Sequence, residues 1–267
     1  MDRPRIGFIG LGTMGGAMCG HLLARGFGVS VWARSRERAA SALRSGGEWV
    51  DSPAALASSV DVVTLCVSDD AAVGDVVFGT WGIAMAAALA GKVLVDHSTI
   101  HPARLRADTG MGWIDAPVSG GPGGAARGEL IVMAGGEAAD FDKVRPGMET
   151  YAKQITLMGP VGSGQATKAC NQLIIGAEIC AIAEALKLAG NFGMKAAALA
   201  DALKGGWADS PVLQDHGRRM AAADYSDPAD ASMMAKDMAI AADMGRRTGT
   251  VMPVTDLVDS LYRRAID

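Results

Sequence analysis

The sequence predicts an α/β fold: a doubly wound, parallel sheet followed by an all-helical domain built on one long helix. Three observations predict it. Strand and helix signals alternate over residues 5–97. The strand runs, such as V-D-V-V-T-L-C-V and K-V-L-V-D, are apolar without alternating, which suits strands covered on both faces. After Gly164 the strand signal disappears and every segment reads helical.

In order, strands are expected at 5–9, 29–33, 48–50, 60–67 and 92–97, the one at 48–50 being weak. Helices are expected between and after them at 13–25, 35–44, 53–57, 70–78 and 82–90. Further strands follow at 112–116, 129–134 and 154–157, with a helix at 138–151. A long helix then runs from about 164 to 191, and shorter ones at 195–203, 211–223, 230–248 and 253–266. The cut between domains falls in 159–164, giving a nucleotide-binding domain of residues 1–161 and a helical domain of residues 162–267 for substrate and oligomer contacts. No repeat, low-complexity tract or flexible linker interrupts this order.

At 267 residues the chain has ample apolar surface for a core. A net charge of −4 and a pI near 5.6 leave no basic footprint for nucleic acid or an anionic membrane. Cys19, Cys66, Cys170 and Cys180 form no C-x-x-C pair and no zinc spacing, so buried free thiols in a reducing compartment are expected. A strand that begins within five residues of the start leaves no room for a signal peptide, and a cytoplasmic protein is the expectation. The apolar stretch 173–189 is broken by Glu178, Glu184 and Lys187, so it reads as a buried core helix and not a membrane span. No metal site is evident.

The strongest local signal is I-G-F-I-G-L-G-T-M-G, which sets G-x-G-x-x-G at Gly10, Gly12 and Gly15 between a strand and a helix. The first glycine permits the tight turn, the second lets backbone approach a pyrophosphate, and the third packs helix on strand. Leu11, Thr13 and Met14 fall in the same turn, whose helix N-terminus offers unpaired N–H groups to phosphates. This is the mark of a Rossmann-type dinucleotide site; the plain alternative is a structural βα turn. The next strand ends in Ala33-Arg34-Ser35-Arg36, with no acid for the ribose hydroxyls and two guanidinium groups suited to a 2′-phosphate. NADP(H) is therefore favoured over NAD(H). Alternatively, Arg34 and Arg36 merely open a solvated helix.

Gly164, Lys168, Asn171 and Ile175 share one face of the long helix, which sets a lysine among small and apolar neighbours. Burying a lysine is costly, so Lys168 is either a snorkelling surface residue or a residue with a task. Here the ordered motifs matter together: the glycine turn, D-H-S-T at 96–99, D-A-P-V-S-G-G at 115–121, G-P-V-G-S-G-Q-A-T-K-A-C-N at 159–171 and K-D-M at 236–238. The set resembles the β-hydroxyacid dehydrogenase family, which includes 3-hydroxyisobutyrate dehydrogenase and tartronate semialdehyde reductase.

That resemblance implies a catalytic Lys168 with Asn171 one turn on, orienting the substrate or the lysine. A protonated Lys168 would stabilise the carbonyl oxygen and give it a proton as hydride arrives; in oxidation a neutral lysine would take the proton. An ordinary lysine, near about 10.4, is a poor base, so the role asks for burial beside the cofactor. Ser119, Gly120 and Gly121 match the family's substrate segment, where a hydroxyl and two amides can hold a carboxylate; Asp115 and Pro117 would fix that loop. Cys66, Val67 and Ser68 at the end of the 60–67 strand, Thr99 beside Ser98, and Lys236 of the K-D motif complete the expected cofactor set. Trp207 lies where the family places pocket residues, although a packed aromatic is the plain reading. The active site would lie between the two domains.

His21, His97, His101 and His216 carry no acid–base spacing and read as ordinary residues. The chain ends about one helix earlier than many family members, which leaves contacts of that tail open. The expected function is NADP(H)-preferring interconversion of a short β- or γ-hydroxy acid and its semialdehyde, in a homodimer or homotetramer. Two other readings remain. Imine reductases resemble this family but generally carry Asp or Tyr in place of the lysine. A non-catalytic NADP-binding interaction module would dispense with it.

Overall fold

The computed structural model describes residues 3–101, 109–226 and 231–266, in two compact units that divide between Lys168 and Ala169. In the first unit, β1 (Ile6–Ile9), β2 (Val29–Trp32), β3 (Glu48–Trp49), β4 (Val62–Leu65), β5 (Val93–Asp96) and β6 (Gly112–Asp115) run parallel in the order β3-β2-β1-β4-β5-β6. Residues of β1, β4 and β5 are buried throughout, as strands covered on both faces must be. One face packs Phe8, Met18, Leu22, Val31 and Val95; the other packs Ile9, Leu56, Leu65, Val77 and Leu94.

The sheet is not parallel to its end. After β6 the chain forms β7 (Val118–Ser119) and the short helix α5, Gly121–Arg127, before β8 (Leu130–Gly135) returns antiparallel to both β6 and β7. Fourteen residues split between a strand and a helix of about two turns do not make a parallel crossover, and Pro117 removes a ladder donor where β6 stops. β9 (Ala152–Gly159) then adds parallel to β8. β7 and α5 lie where the sequence reads as a loop. Gly120 and Gly121 hold φ of +119° and +58°, a turn that glycine makes without Cβ strain, and it leads directly into α5.

The helices α1 (Thr13–Ala24), α2 (Ala40–Arg44), α3 (Pro53–Ser59), α4 (Asp70–Phe78) and α6 (Ala138–Met148) cover the sheet. Their starts follow local chemistry. Ser52 accepts the Ala55 N–H at α3 with Pro53 next, and Asp69 accepts the Ala72 N–H at α4. The helix expected at 82–90 is only a 3-10 turn, Ile83–Met85. Its alanines supply propensity but few large side chains to bury, and a short helix is marginal without that packing.

The second unit is helical, as expected. α7 (Ser163–Asn191) starts within the first unit and continues through 29 residues. After it come α8 (Leu199–Ala202), a π-helical turn Leu213–Gly217, α9 (Arg218–Ala221), α10 (Ala231–Thr248) and α11 (Pro253–Ile266). The expected start of α10 at Asp230 lies outside the described residues. Gly176 lets α7 approach Met234, Met238 and Val258, where a Cβ would press on the Met238 sulfur. α7 is not the buried core helix expected, because Ile174 and Leu188 keep 63% and 70% of their surface exposed. The cysteines also differ from expectation: Cys19 is buried, Cys66 and Cys180 are partly so, and Cys170 is exposed. No helix among the described residues is long and apolar enough to cross a membrane.

Candidate active site

Because β1, β2, β4 and β5 run parallel side by side, the loops after them converge at one edge of the sheet, and the order reverses between β1 and β4. Ligands of doubly wound folds bind at such a switch point. The glycine turn sits there, and its three glycines have different surroundings. A Cβ on Gly10, whose φ is +96°, would overlap the Cys66 carbonyl, and one on Gly15 would overlap the Gly10 carbonyl. A Cβ on Gly12 would meet nothing within 4 Å. Two glycines are thus required by the protein's own packing, while the second keeps a place clear for a ligand. Gly12 also precedes α1, which has no acid in its first turn to compete for the free amides. The residues present fit a dinucleotide's pyrophosphate.

At the end of β2, Ala33 is buried and Arg34 and Arg36 are exposed. Ser35 leads into the 3-10 turn Arg36–Ala39, where the Glu37 backbone amide and then the Ser35 hydroxyl hold the Glu37 carboxyl below the usual range. The Arg36 guanidinium lies 5.7 Å from the Trp49 ring centroid, a cation–π distance. Asp51 stands nearby but is bonded to the Trp49 indole N–H at 2.9 Å.

The loops after β4 and β5 are tied together and then to α7. Val67 donates to Ser98 Oγ at 3.0 Å. Gln165 spans the next gap with both ends of its amide: Nε2 donates to the Ser98 carbonyl at 2.7 Å and Oε1 accepts the Ile100 N–H at 3.1 Å. Asp115, at the end of β6, takes the Gly162 N–H on Oδ1 at 2.7 Å and the Gln165 N–H on Oδ2 at 2.8 Å. A carboxylate from the sheet therefore caps the first turn of α7. Asp115 does more than fix its own loop, and Gln165 carries a role that sequence reasoning missed. One turn beyond this clamp stands Lys168, 8% exposed on its helix. Lys168 is buried rather than snorkelling.

Two carboxyl groups face each other here, since Asp96 and Asp115 are partners in the β5–β6 register. Burial pushes the Asp96 carboxyl up to about 7, and the charges of Asp115 and Asp70 add to this against the hydrogen bonds from Ser98. Burial likewise raises Asp115, to about 6, against the amides it accepts. Burial pushes the Cys66 thiol up to about 12, which leaves it a packing residue and not a nucleophile.

His97 is a structural histidine. Its Nδ1 lies 2.6 Å from the Ala116 carbonyl, which can only accept, so Nδ1 carries the hydrogen and Nε2 accepts from the Tyr151 hydroxyl at 2.9 Å. Burial lowers its pKa to about 4 and keeps the ring neutral. It thereby anchors the strand leading to Val118, Ser119 and the glycines. Ser119 is partly exposed at the end of β7. His21 ties α1 to α5 through the Ala125 carbonyl at 3.0 Å.

In the second unit, Asn171 and Lys236 are drawn together through two residues between them. Asn171 Nδ2 donates to Gln172 Oε1 at 2.8 Å, Gln172 Nε2 donates to Asp237 Oδ2 at 2.6 Å, and Lys236 Nζ lies 3.2 Å from Asp237 Oδ1. Trp207 is not part of this group; its side chain is fully exposed in a turn before the π-helical segment. The first unit holds Gly10 to Gly15, Ala33 to Arg36, Cys66, Val67, Ser68, Thr99, Ser119 to Gly121 and Lys168. Asn171, Trp207 and Lys236 belong to the second. Among the described residues no group of three or more His, Cys, Asp or Glu side chains is placed to hold a metal ion.

Residues 5–159 match the family described as the NAD binding domain of 6-phosphogluconate dehydrogenase. Residues 162–267 match the NAD-binding domain of NADP-dependent 3-hydroxyisobutyrate dehydrogenase. With its glycine turn and lysine helix, the chain belongs to the β-hydroxyacid dehydrogenase family and is an NAD(P)-dependent hydroxyacid dehydrogenase. It is 34% identical to the 2-hydroxy-3-oxopropionate reductase of Escherichia coli K12, over 97% of this chain and 90% of that one. The solved 3-hydroxyisobutyrate dehydrogenase of Mycobacterium tuberculosis, in complex with L-serine, superposes with a TM-score of 0.87 at 29% identity, over 98% of this chain and 94% of that one. A structure of Psf3 in complex with NADP+ and 2-OPP superposes at 0.85 with 27% identity, over 97% of this chain and 93% of that one.

Proposed function

We propose that the protein is an NADP(H)-preferring oxidoreductase that interconverts a short β- or γ-hydroxy carboxylic acid and its semialdehyde, with Lys168 as general acid and base. The observation that carries the reading is the burial of Lys168 one turn past the Asp115–Gln165 clamp. A lysine held out of bulk water in the G-x-x-x-K-x-x-N signature is suited to exchange a proton with the carbonyl oxygen of a semialdehyde. The Gly10–Gly15 turn with Cys66, Val67, Ser68 and Thr99 would hold NADP(H), which would supply or accept the hydride. Lys168 donates its proton to the carbonyl oxygen in reduction and takes the hydroxyl proton in oxidation. Asn171 orients the reacting group. Ser119 with the amides of Gly120 and Gly121 holds the carboxylate.

Arg34 and Arg36 support the preference for NADP(H), because the end of β2 offers guanidinium groups, while Asp51 is engaged by Trp49 and Glu37 by its own amide and Ser35. The solved relative that binds NADP+ agrees with it. The E. coli relative reduces 2-hydroxy-3-oxopropionate by its name, which supports a short semialdehyde as substrate. The reading extends to a cytoplasmic homodimer or homotetramer.

The test is NADPH and NADH oxidation against glyoxylate, succinic semialdehyde, methylmalonate semialdehyde and tartronate semialdehyde, by wild type and Lys168→Ala. NADPH turnover should fall about 10²–10⁴-fold in the variant. Turnover that survives the substitution removes Lys168 from the chemistry, and equal use of NADH removes the cofactor preference.

A further inference from the structure

We propose that Gln172 and Asp237 are positioning residues that fix which end of the Asn171 amide meets the substrate. The proposal rests on the reading that Asn171 touches substrate, and it adds the residues that control how. An amide's nitrogen and oxygen have nearly the same shape, so only donor and acceptor chemistry distinguishes its two orientations. Here that chemistry is dictated from one end. The Asp237 carboxylate only accepts, so the Gln172 atom 2.6 Å from its Oδ2 is the donor Nε2. The other end of Gln172 is then Oε1, which only accepts. The Asn171 atom 2.8 Å from it must be Nδ2. Oδ1 of Asn171 is left as the acceptor for a ligand, suited to the O–H of a hydroxy acid.

The chain of bonds is well placed to hold this polarity. Gln172 and Asp237 are 9% and 7% exposed, so water offers little competition for their bonds. Lys236 provides the counter-charge, with Nζ 3.2 Å from Asp237 Oδ1 at an angle that makes a charge contact rather than a hydrogen bond. The same carboxylate therefore serves the amide on α7 and the ammonium of the K-D motif. A residue that merely glued α7 to α10 would not need both ends of the Gln172 amide satisfied in a fixed sense.

Asp237→Asn preserves shape and can reverse the whole chain: its amino end would donate to Gln172, Gln172 would donate to Asn171, and Asn171 would present N–H instead of oxygen. Gln172→Leu cuts the chain at its middle. Both are to be made in wild type and in Asn171→Ala, measuring kcat and KM with the semialdehydes above, the NADPH Kd by tryptophan fluorescence, and Tm. In the wild-type background, kcat should fall about 10-fold or more for each, the order expected when a reacting group is misoriented. For Gln172→Leu the NADPH Kd should stay within about twofold. In the Asn171→Ala background neither should lower kcat further, since the group they orient is gone. Equal losses in both backgrounds would mean a structural role and overturn the proposal, as would full activity of Gln172→Leu beside a crippled Asn171→Ala. If Gln172→Leu does not fold, Asp237→Asn alone decides by the same comparison. A harmless Asn171→Ala, or a protein that turns over none of the four semialdehydes, removes the underlying reading and this one with it; a collapse in Lys168→Ala separates those two cases.

Discussion

Asp96 pays for its place in the sheet with a carboxyl that burial holds near pH 7 instead of the model-peptide value of about 3.8. The consequence for stability has a definite sign. The folded protein binds this proton more tightly than the unfolded chain, so the contribution is fully present below about pH 4 and is lost as pH rises through 7. Asn in the same place cannot ionise and can still accept the Ser98 N–H. Asp96→Asn should therefore gain on wild type as pH rises from 5 to 8, by on the order of 2–4 kcal/mol. Thermal melts at four pH values check this, and parallel curves for the two proteins would refute it. His97 has the opposite sign: its lowered pKa favours the fold above 6.5 and is lost as pH falls through about 4.

At the scale of elements, the glycine turn separates packing from binding. Gly15→Ala should destabilise the protein strongly, because its methyl would meet the Gly10 carbonyl inside the β1–α1 contact. Gly12→Ala should leave Tm nearly unchanged and weaken NADPH binding about tenfold or more, since its methyl enters open space where the pyrophosphate of the proposed cofactor would lie. Melting curves with NADPH titrations tell the two apart; equal loss of Tm would undo the distinction. This turn was legible in the sequence because its chemistry is local: strand, glycines and helix follow one another within a few residues. The caps of α3 and α4 are equally local, with Ser52 and Asp69 each accepting from an amide three residues on. The Asp115 clamp was not legible, because its partner amides lie 47 and 50 residues away, and the Gln172–Asp237 bond spans 65. Residue type suggests that such groups need partners, but only the fold selects them. α5 was hidden by G-P-G-G, which reads as a turn until its packing against α1 is known, and the alanines of 82–90 promised a helix that had too little to bury.

For the whole molecule, the second unit leaves more apolar surface uncovered than its small cores can use. Ala169, Ile240 and Ala241 form one cluster and Ile182, Ala200 and Leu213 another, while Leu188, Phe192 and Met233 stay 70%, 81% and 62% exposed. The homo-oligomer proposed above would cover such side chains. Light scattering after size-exclusion chromatography should give two or four times 27.4 kDa, and Leu188→Glu with Phe192→Glu should shift the mass toward one copy. A wild-type monomer at micromolar concentration would contradict this. His97 adds a consequence of another kind. Its hydrogen sits on Nδ1, the tautomer that a free imidazole in water disfavours, and Tyr151 and Ala116 enforce it from opposite sides of the ring. Among only four histidines, that ring is a built-in spectroscopic label for the core, whose nitrogen resonances report whether β5, β6 and the start of β9 are assembled.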